Sequence, residues 1–240
     1  MLEAEFRHKS EKSNTTIELA NLNNDNIYRK NRHAYFIRDA RTYKNTLAQQ
    51  NDSWKGTVIS SNINIGGISD INYFDDFSNT VSRVGRTHIT RDIKLERLDY
   101  NNFGYFKTSI AATDYQLAKN DLQEQYSVLP RLKLEYQSKK VDRNFNYNFE
   151  GEIADFDHTL PHKVTGLRMV LYPSIEYPIS NPGWEVNTKF GIRHSNYDLS
   201  ANDSGITRTS MSKTFPIFSV RGKMIYEKLS TNNILQTLEP

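Results

Sequence analysis

Asn144 to Asp155 reads N-F-N-Y-N-F-E-G-E-I-A-D. Phe145, Tyr147, Phe149, Gly151 and Ile153 alternate with Asn144, Asn146, Asn148, Glu150 and Glu152. Side chains on a strand point to opposite faces with period two, so one face is apolar and aromatic and the other carries amides and carboxylates. A helix of period 3.6 would spread both sets around its circumference. The run exceeds a common soluble strand of about 5–6 residues and matches the roughly 9–11 residues that a tilted strand needs to cross a bilayer.

The unit recurs along the chain. Leu132, Leu134 and Tyr136 oppose Arg131, Lys133 and Glu135. Trp184, Val186, Phe190 and Ile192 oppose Glu185, Asn187, Lys189 and Arg193. Ile89, Ile93 and Leu95 are expected on one face, with Asp92, Lys94 and Glu96 on the other. Eleven strands and a twelfth over Ile234–Pro240 follow from this pattern. Pro173 and Pro178 are expected to break the ninth, because a strand proline needs an edge, an end or a bulge. After Trp54 the connections run long, short, long, short, as in barrels with long outer loops and short periplasmic turns. The predicted fold class is all-β: an antiparallel transmembrane β-barrel segment of about 11–12 strands. A soluble β-sandwich or adhesin-like β-solenoid is the alternative, since a sandwich also buries one face.

Composition agrees. The chain has 240 residues, 37% of them hydrophobic, with 14 tyrosines and 12 phenylalanines. Disordered chains are poor in aromatics. The net charge of +3, from 31 basic and 28 acidic residues, is too balanced to require nucleic acid. With no cysteine, disulfides and thiolate metal sites are excluded within the chain. No run of about 18 apolar residues marks a transmembrane helix, which leaves barrel strands open. No signal peptide is visible, so either the protein is not exported or further sequence precedes it. There is no G-x-S-x-G, phosphate loop, H-E-x-x-H or dinucleotide fingerprint, so neither catalysis nor a cofactor is expected.

Three groups of residues are candidate sites. Asp70, Tyr73, Asp75 and Asp76 share a long loop, expected extracellular, that reads either as a cation or partner contact or, preferably, as a folded cap over the barrel mouth. His158 and His162 stand near Asp155 and Asp157, but Pro161 spoils helical ligand spacing, and no metal is assigned. Arg131, Lys133, Glu135, Glu150, Glu152, Glu185, Lys189 and Arg193 are expected to line a wet lumen. There they meet phosphorylated sugars or a plug protein, or only water.

Several short words resemble one family in order and spacing. Y-S-V-L-P-R-L-K-L-E-Y (Tyr126–Tyr136) and V-T-G-L-R with L-Y-P-S-I (Val164–Ile175) resemble LptD, the outer-membrane lipopolysaccharide-assembly protein. So do A-E-F-R (Ala4–Arg7), D-I-N-Y-F-D-D-F (Asp70–Phe77), F-D-H (Phe156–His158), Y-D-L (Tyr197–Leu199), R-T-S-M-S-K-T-F-P-I-F-S (Arg208–Ser219) and L-Q-T-L-E-P (Leu235–Pro240). The resemblance implies a Gram-negative outer-membrane location and a barrel of about 26 strands, of which residues 1–240 form part. It places a periplasmic jellyroll and the barrel-closing strands elsewhere. The implied partners are lipopolysaccharide, a plug lipoprotein of the LptE type, outer-membrane lipids and, through the jellyroll, periplasmic lipopolysaccharide-transport bridge proteins. Another outer-membrane barrel (porin, receptor or barrel enzyme) is the rival.

Overall fold

A computed structural model describes residues 1–50, 53–77, 87–119, 124–138, 145–200, 209–224, 226–229 and 235–238. The strands are β1 (Leu2–Lys9), β2 (Ser13–Leu22), β3 (Arg32–Gln50), β4 (Ser53–Ile68), β5 (His88–Asn101), β6 (Gly104–Leu117), β7 (Ser127–Ser138), β8 (Asn146–Asp157), β9 (Thr165–Asn181), β10 (Trp184–Ser200), β11 (Thr209–Met224), β12 (Tyr226–Leu229) and β13 (Leu235–Leu238). One helical turn, α1 (Tyr73–Asp76), follows β4. β1 to β11 form one sheet in strict sequence order, and β12 and β13 form a separate two-stranded sheet. Every adjacent pair is antiparallel. Among the described residues β1 pairs only with β2, and β11 only with β10. The sheet therefore has two open edges, as a section of barrel wall has.

The strands run further toward the long loops than hydropathy marks. The sequence reads Tyr197–Ser212 as one long polar loop, yet β10 extends to Ser200 and β11 begins at Thr209. Backbone pairing continues there because a ladder needs amides, not apolar side chains. The sequence reads an eleventh strand over Thr214–Glu227; β11 ends at Met224, and Glu227 belongs to β12. The sequence also reads a turn over Ser230–Asn233; it and Asn144 lie outside the described residues. β3 and β4 stay paired to Gln50–Ser53, whereas pairing with β2 stops at Arg41 and with β5 at Gly56. This hairpin projects beyond its neighbours at the short-turn end.

Pro173 and Pro178 do not break β9. Both are paired, with Phe149 and Asn187. The missing N–H is absorbed on one side only: the ladder to β10 lapses between Ser174–Gly191 and Leu171–His194, beside Pro173. Pro130 sits in a bulge, where the register of β7 shifts against β8 between Val128 and Arg131. Pro216 lies on β11, an edge strand. Gly166 opens β9 at φ +139°, and a Cβ there would lie 2.1 Å from the Asp198 carbonyl oxygen. Only glycine lets β9 and β10 close at this corner.

Cross-strand partners share a face, so the registers can be followed around the sheet. One face carries Leu2, Phe6, Ile17, Ile37, Ile65, Ile63, Ile93, Leu95, Ile110, Leu132, Ile153, Met169, Phe190 and Phe218. Most of these side chains are solvent-exposed, Ile110 by 52%. The opposite face carries Glu18, Arg38, Asn62, Lys94, Glu96, Lys107 and all eight charged residues named above. The sheet is thus inverted relative to a water-soluble core: its aliphatic side is the uncovered one.

Ile89 departs from this scheme. It is expected beside Ile93 and Leu95, but it is buried with Phe36, Ile68 and Phe74. The cause is local. β4 and β5 are paired only as far as Asn64–Asp92. Beyond that point side chains bridge the gap: Arg91 Nε donates to the Gly66 carbonyl (2.8 Å) and Gln116 Nε2 to the Ile68 carbonyl (2.8 Å). The end of β5 is then free to turn Ile89 inward.

Candidate functional site

The polar face is a lattice of ion pairs. Arg38 pairs with Glu18, Lys133 with Glu135, Lys94 and Lys107 with Glu96 (2.7 and 3.1 Å), Arg168 with Glu152 (2.5 Å) and Lys189 with Glu176 (3.2 Å). Each joins positions two apart on one strand or neighbouring positions across strands, as side chains on one face must. Arg168 also lies over the Phe156 ring at 4.8 Å, and Lys189 over Tyr172 at 5.2 Å.

Two hollows open on this face. One of about 840 Å³ is lined from β1 to β5 by Glu5, Arg7, Glu18, Arg38, Asn62 and Asp92 among others, so the sheet curls around its polar side. A second, of about 230 Å³, is lined by Lys133, Glu150, Glu152, Arg168, Tyr172 and Arg193. The second brings together four of the eight charged residues singled out in the sequence. Arg131, Glu135, Glu185 and Lys189 lie on the same face outside its lining. Arg131, Glu150, Glu185 and Arg193 have no ion-pair partner among the described residues. Among the eight, these four are the charges that no neighbouring ion pair occupies.

At the long-loop end a short segment covers the polar side of β2 to β6. α1 folds onto the polar face, where Tyr73 and Phe74 cluster with Phe36, Ala20, Ala34, Ile68, Ile89 and Ala118. Tyr73 is fully buried. The Phe36 ring fills the space over Gly66, where a Cβ would come within 2.4 Å of it.

Arg32 locks the cap in place and is 1% exposed. It donates to both oxygens of Asp70 (Nε 2.9 Å, Nη2 2.8 Å), to Asp76 (2.7 Å) and to Asp25 (3.2 Å). The guanidinium lies between the Tyr28 and Phe77 rings, 4.3 and 4.7 Å from their centroids. Arg32 thus ties the 23–31 loop to the 69–77 segment. Asp75 is exposed. Sequence reasoning missed Arg32, because its partners lie 7, 38 and 44 positions away. The available signal was an acidic, aromatic loop in need of a counter-ion.

Hydrogen bonds from the Ile27 amide, and then from Arg32, hold the Asp25 carboxyl below its ordinary pKa. Burial opposes charge on Asp70, but hydrogen bonds from Arg32 and Ser69 outweigh it and its pKa is lowered too. A carboxyl whose folded pKa is depressed contributes stability that is complete above its unfolded value and is lost as pH falls through the folded one. The cap should therefore stay docked from neutral pH down to the ordinary value of 3.8 and come away below it. Amide protection of residues 69–77, corrected for intrinsic exchange, would report this. Loss of protection between pH 7 and 5 would contradict it.

His158 is a structural residue. Its Nδ1 accepts the Leu160 amide (3.0 Å), its Nε2 faces the Glu124 carbonyl (3.3 Å), and its ring meets Tyr126 edge-on at 4.8 Å. Both ring nitrogens are occupied, and among the described residues no group of three metal-ligating side chains assembles.

Around the short-turn end the apolar face carries Phe106, Tyr136, Tyr147, Phe145, Tyr177 and Trp184. Phe145 and Tyr177 are in contact, with centroids 4.9 Å apart.

The family model for LPS transport system D, LptD, matches residues 30–240. This chain belongs to the LptD family. It is 30% identical to the LPS-assembly protein LptD of Aromatoleum aromaticum over 181 residues, which cover 74% of this chain and 22% of that protein. It is 26% identical to the LptD of Pseudoalteromonas atlantica over 242 residues, covering 100% of this chain and 30% of the relative. The LptD of Nitrosospira multiformis is 26% identical over 84% of the chain and 22% of its own length. The chain thus spans about 22–30% of the length of these curated relatives. The words that carried the resemblance now have structural roles. L-P-R is the bulge of β7, V-T-G-L-R holds the Gly166 corner, D-I-N-Y-F-D-D-F is the cap, and F-D-H ends in the anchored His158.

Proposed function

We propose that this chain is a section of the wall of an outer-membrane barrel that assembles lipopolysaccharide into the outer leaflet of a Gram-negative cell. The reading is carried by one observation: a continuous division of eleven strands into an exposed aliphatic face and an ion-paired polar face. In water that arrangement leaves a large apolar surface uncovered, whereas in a bilayer it is the required one. The aromatic belt at the short-turn end supports this, since such belts sit at headgroup depth. By the loop-length rule that end is periplasmic and the capped end extracellular.

Arg131, Lys133, Glu135, Glu150, Glu152, Glu185, Lys189 and Arg193 then line the lumen. The sugar portion of lipopolysaccharide crosses that hydrated interior while its acyl chains leave sideways into the membrane. The charges without partners, Arg131 and Arg193 above all, are suited to phosphorylated sugars. A plug lipoprotein of the LptE type would share the lumen, and a jellyroll elsewhere in the protein would receive substrate from the bridge proteins. No catalytic step is assigned.

The absence of cysteine in this segment makes labelling a direct test. In the intact parent protein in cells, single cysteines at Glu150 and Arg193 should react with a charged maleimide. Cysteines at Ile153 and Ile192 should not. Equal labelling of both sets would sink the membrane reading.

A further inference from the structure

Besides Arg91 and Asp114 near the long-loop end (3.6 Å), two charged pairs lie on the aliphatic face nearer the short turns. Asp39 and Arg41 of β3, and Arg97 and Asp99 of β5, share the side of Ile37, Ile63, Ile93 and Leu95. Both are built alike. The Thr15 hydroxyl donates to Asp39 (2.5 Å), and Arg41 Nε donates to the other oxygen of that carboxylate (2.8 Å). The Thr57 hydroxyl donates to Asp99 (2.6 Å), and Arg97 donates through Nε (2.8 Å) and Nη2 (3.1 Å). In each case the threonine is the cross-strand partner of the aspartate. The threonine fixes the carboxylate, which fixes one edge of the guanidinium. The side chains of Arg41 and Arg97 remain 49% and 61% exposed.

Their depth follows from cost. An arginine on the lipid face costs about 2–4 kcal/mol at the bilayer midplane and about 0–1 near the interface. Both pairs sit near short turns: Arg41, though mid-way along β3, lies opposite Ser13, where β2 begins, and Arg97 lies four positions before Asn101, where β5 ends. Because barrel strands tilt by about 35–45°, the row that joins Arg41 to Leu95 and Ile110 deepens with distance from the β1–β2 turn. Phe106 of the aromatic belt is the cross-strand partner of Asp99. Tyr43 and Ile59 lie in one row with Arg97, and Ser61 and Leu95 in one row with Arg41. Two outward guanidinium forks, held on the order of 10 Å apart by two strand spacings, therefore flank a small apolar strip at headgroup depth.

We infer that this patch binds phospholipid headgroups: Arg41 and Arg97 each hold the phosphate of a neighbouring lipid, with acyl chains lying over Ile59, Ile63 and Leu95. A guanidinium fork matches phosphate geometry, and phosphates are the anions available at that depth. Lipopolysaccharide also carries phosphate, but on the membrane reading above, on which this inference rests, it belongs to the opposite leaflet.

The test uses the full-length parent protein in nanodiscs of phosphatidylethanolamine and phosphatidylglycerol, with retained lipids counted by native mass spectrometry after release. Wild type should keep phospholipid that folded R41Q/R97Q keeps roughly tenfold less well. Should that variant not fold, R41K/R97K retains the ion pairs but loses the forks, and the same loss is expected of it. Equal retention by a folded variant, or lipopolysaccharide as the species lost, overturns the inference while leaving the membrane reading intact. Failure of the wild type to enter nanodiscs overturns both.

Discussion

Replacing Arg32 by alanine should release residues 69–77 from the polar face and destabilise that end of the sheet by about 3–5 kcal/mol, the cost of breaking a buried ion pair by removing one partner. Arg32 is the shared cation of Asp25, Asp70 and Asp76, the first two nearly buried and the third partly exposed. Alanine would leave two carboxylates out of water with no counter-charge. Lysine should restore only part of the loss, since one ammonium cannot reproduce the paired bonds to Asp70 together with the bonds to Asp25 and Asp76. Asp76→Asn should cost far less, about 1 kcal/mol or below, because that carboxylate is more than one-third exposed. Hydrogen exchange across residues 69–77 is the direct readout. Unchanged protection in the alanine variant would mean that burial of Tyr73 and Phe74 holds the cap without the ion pairs. Lost protection, with the rest of the sheet intact, would identify the cap as a separately opening unit.

Much of this architecture was legible because a strand writes its two faces directly into sequence. The alternation of Leu132, Leu134 and Tyr136 with Arg131, Lys133 and Glu135 places each side chain once the register is known. The inward turn of Ile89 was not legible. It depends on where β4 and β5 part, and that gap is bridged by Arg91 and Gln116, whose hydrogen bonds leave no periodic trace. The prolines misled for a related reason. A strand proline loses one hydrogen bond on one side only, so β9 keeps its pairing to β8 at Pro173 while the β10 ladder lapses. The polar-face candidates came from local alternation. Arg32 was invisible because its role is created by two loops meeting, and loop contacts carry no period. The Asp39–Arg41 and Arg97–Asp99 pairs interrupt the alternation, placing charge among the aliphatic positions of β3 and β5.

Ile110→Arg should lower stability by about 2–4 kcal/mol in a bilayer and by almost nothing in water. Ile110 lies near the middle of β6, on the aliphatic face, with its side chain half exposed. Its cross-strand partners are Leu95 and Leu132. In a water-soluble sheet an exposed isoleucine is an ordinary surface position, where substitutions rarely move stability by more than about 0.5 kcal/mol. In a membrane wall the same position faces acyl chains, and a guanidinium there must be desolvated or must drag water and headgroups toward the midplane. The contrast with Arg97 sharpens the test. That arginine already lies on the same face, but close to the end of β5 and paired to Asp99. If depth sets the cost, charge is tolerated near the short turns and costly in mid-strand. Unfolding of the full-length protein from lipid vesicles, with Ile110→Arg compared against Ile110→Leu, measures the difference. A loss near the predicted size assigns the aliphatic face to lipid, and no loss would return the sheet to water and require another cover for that face.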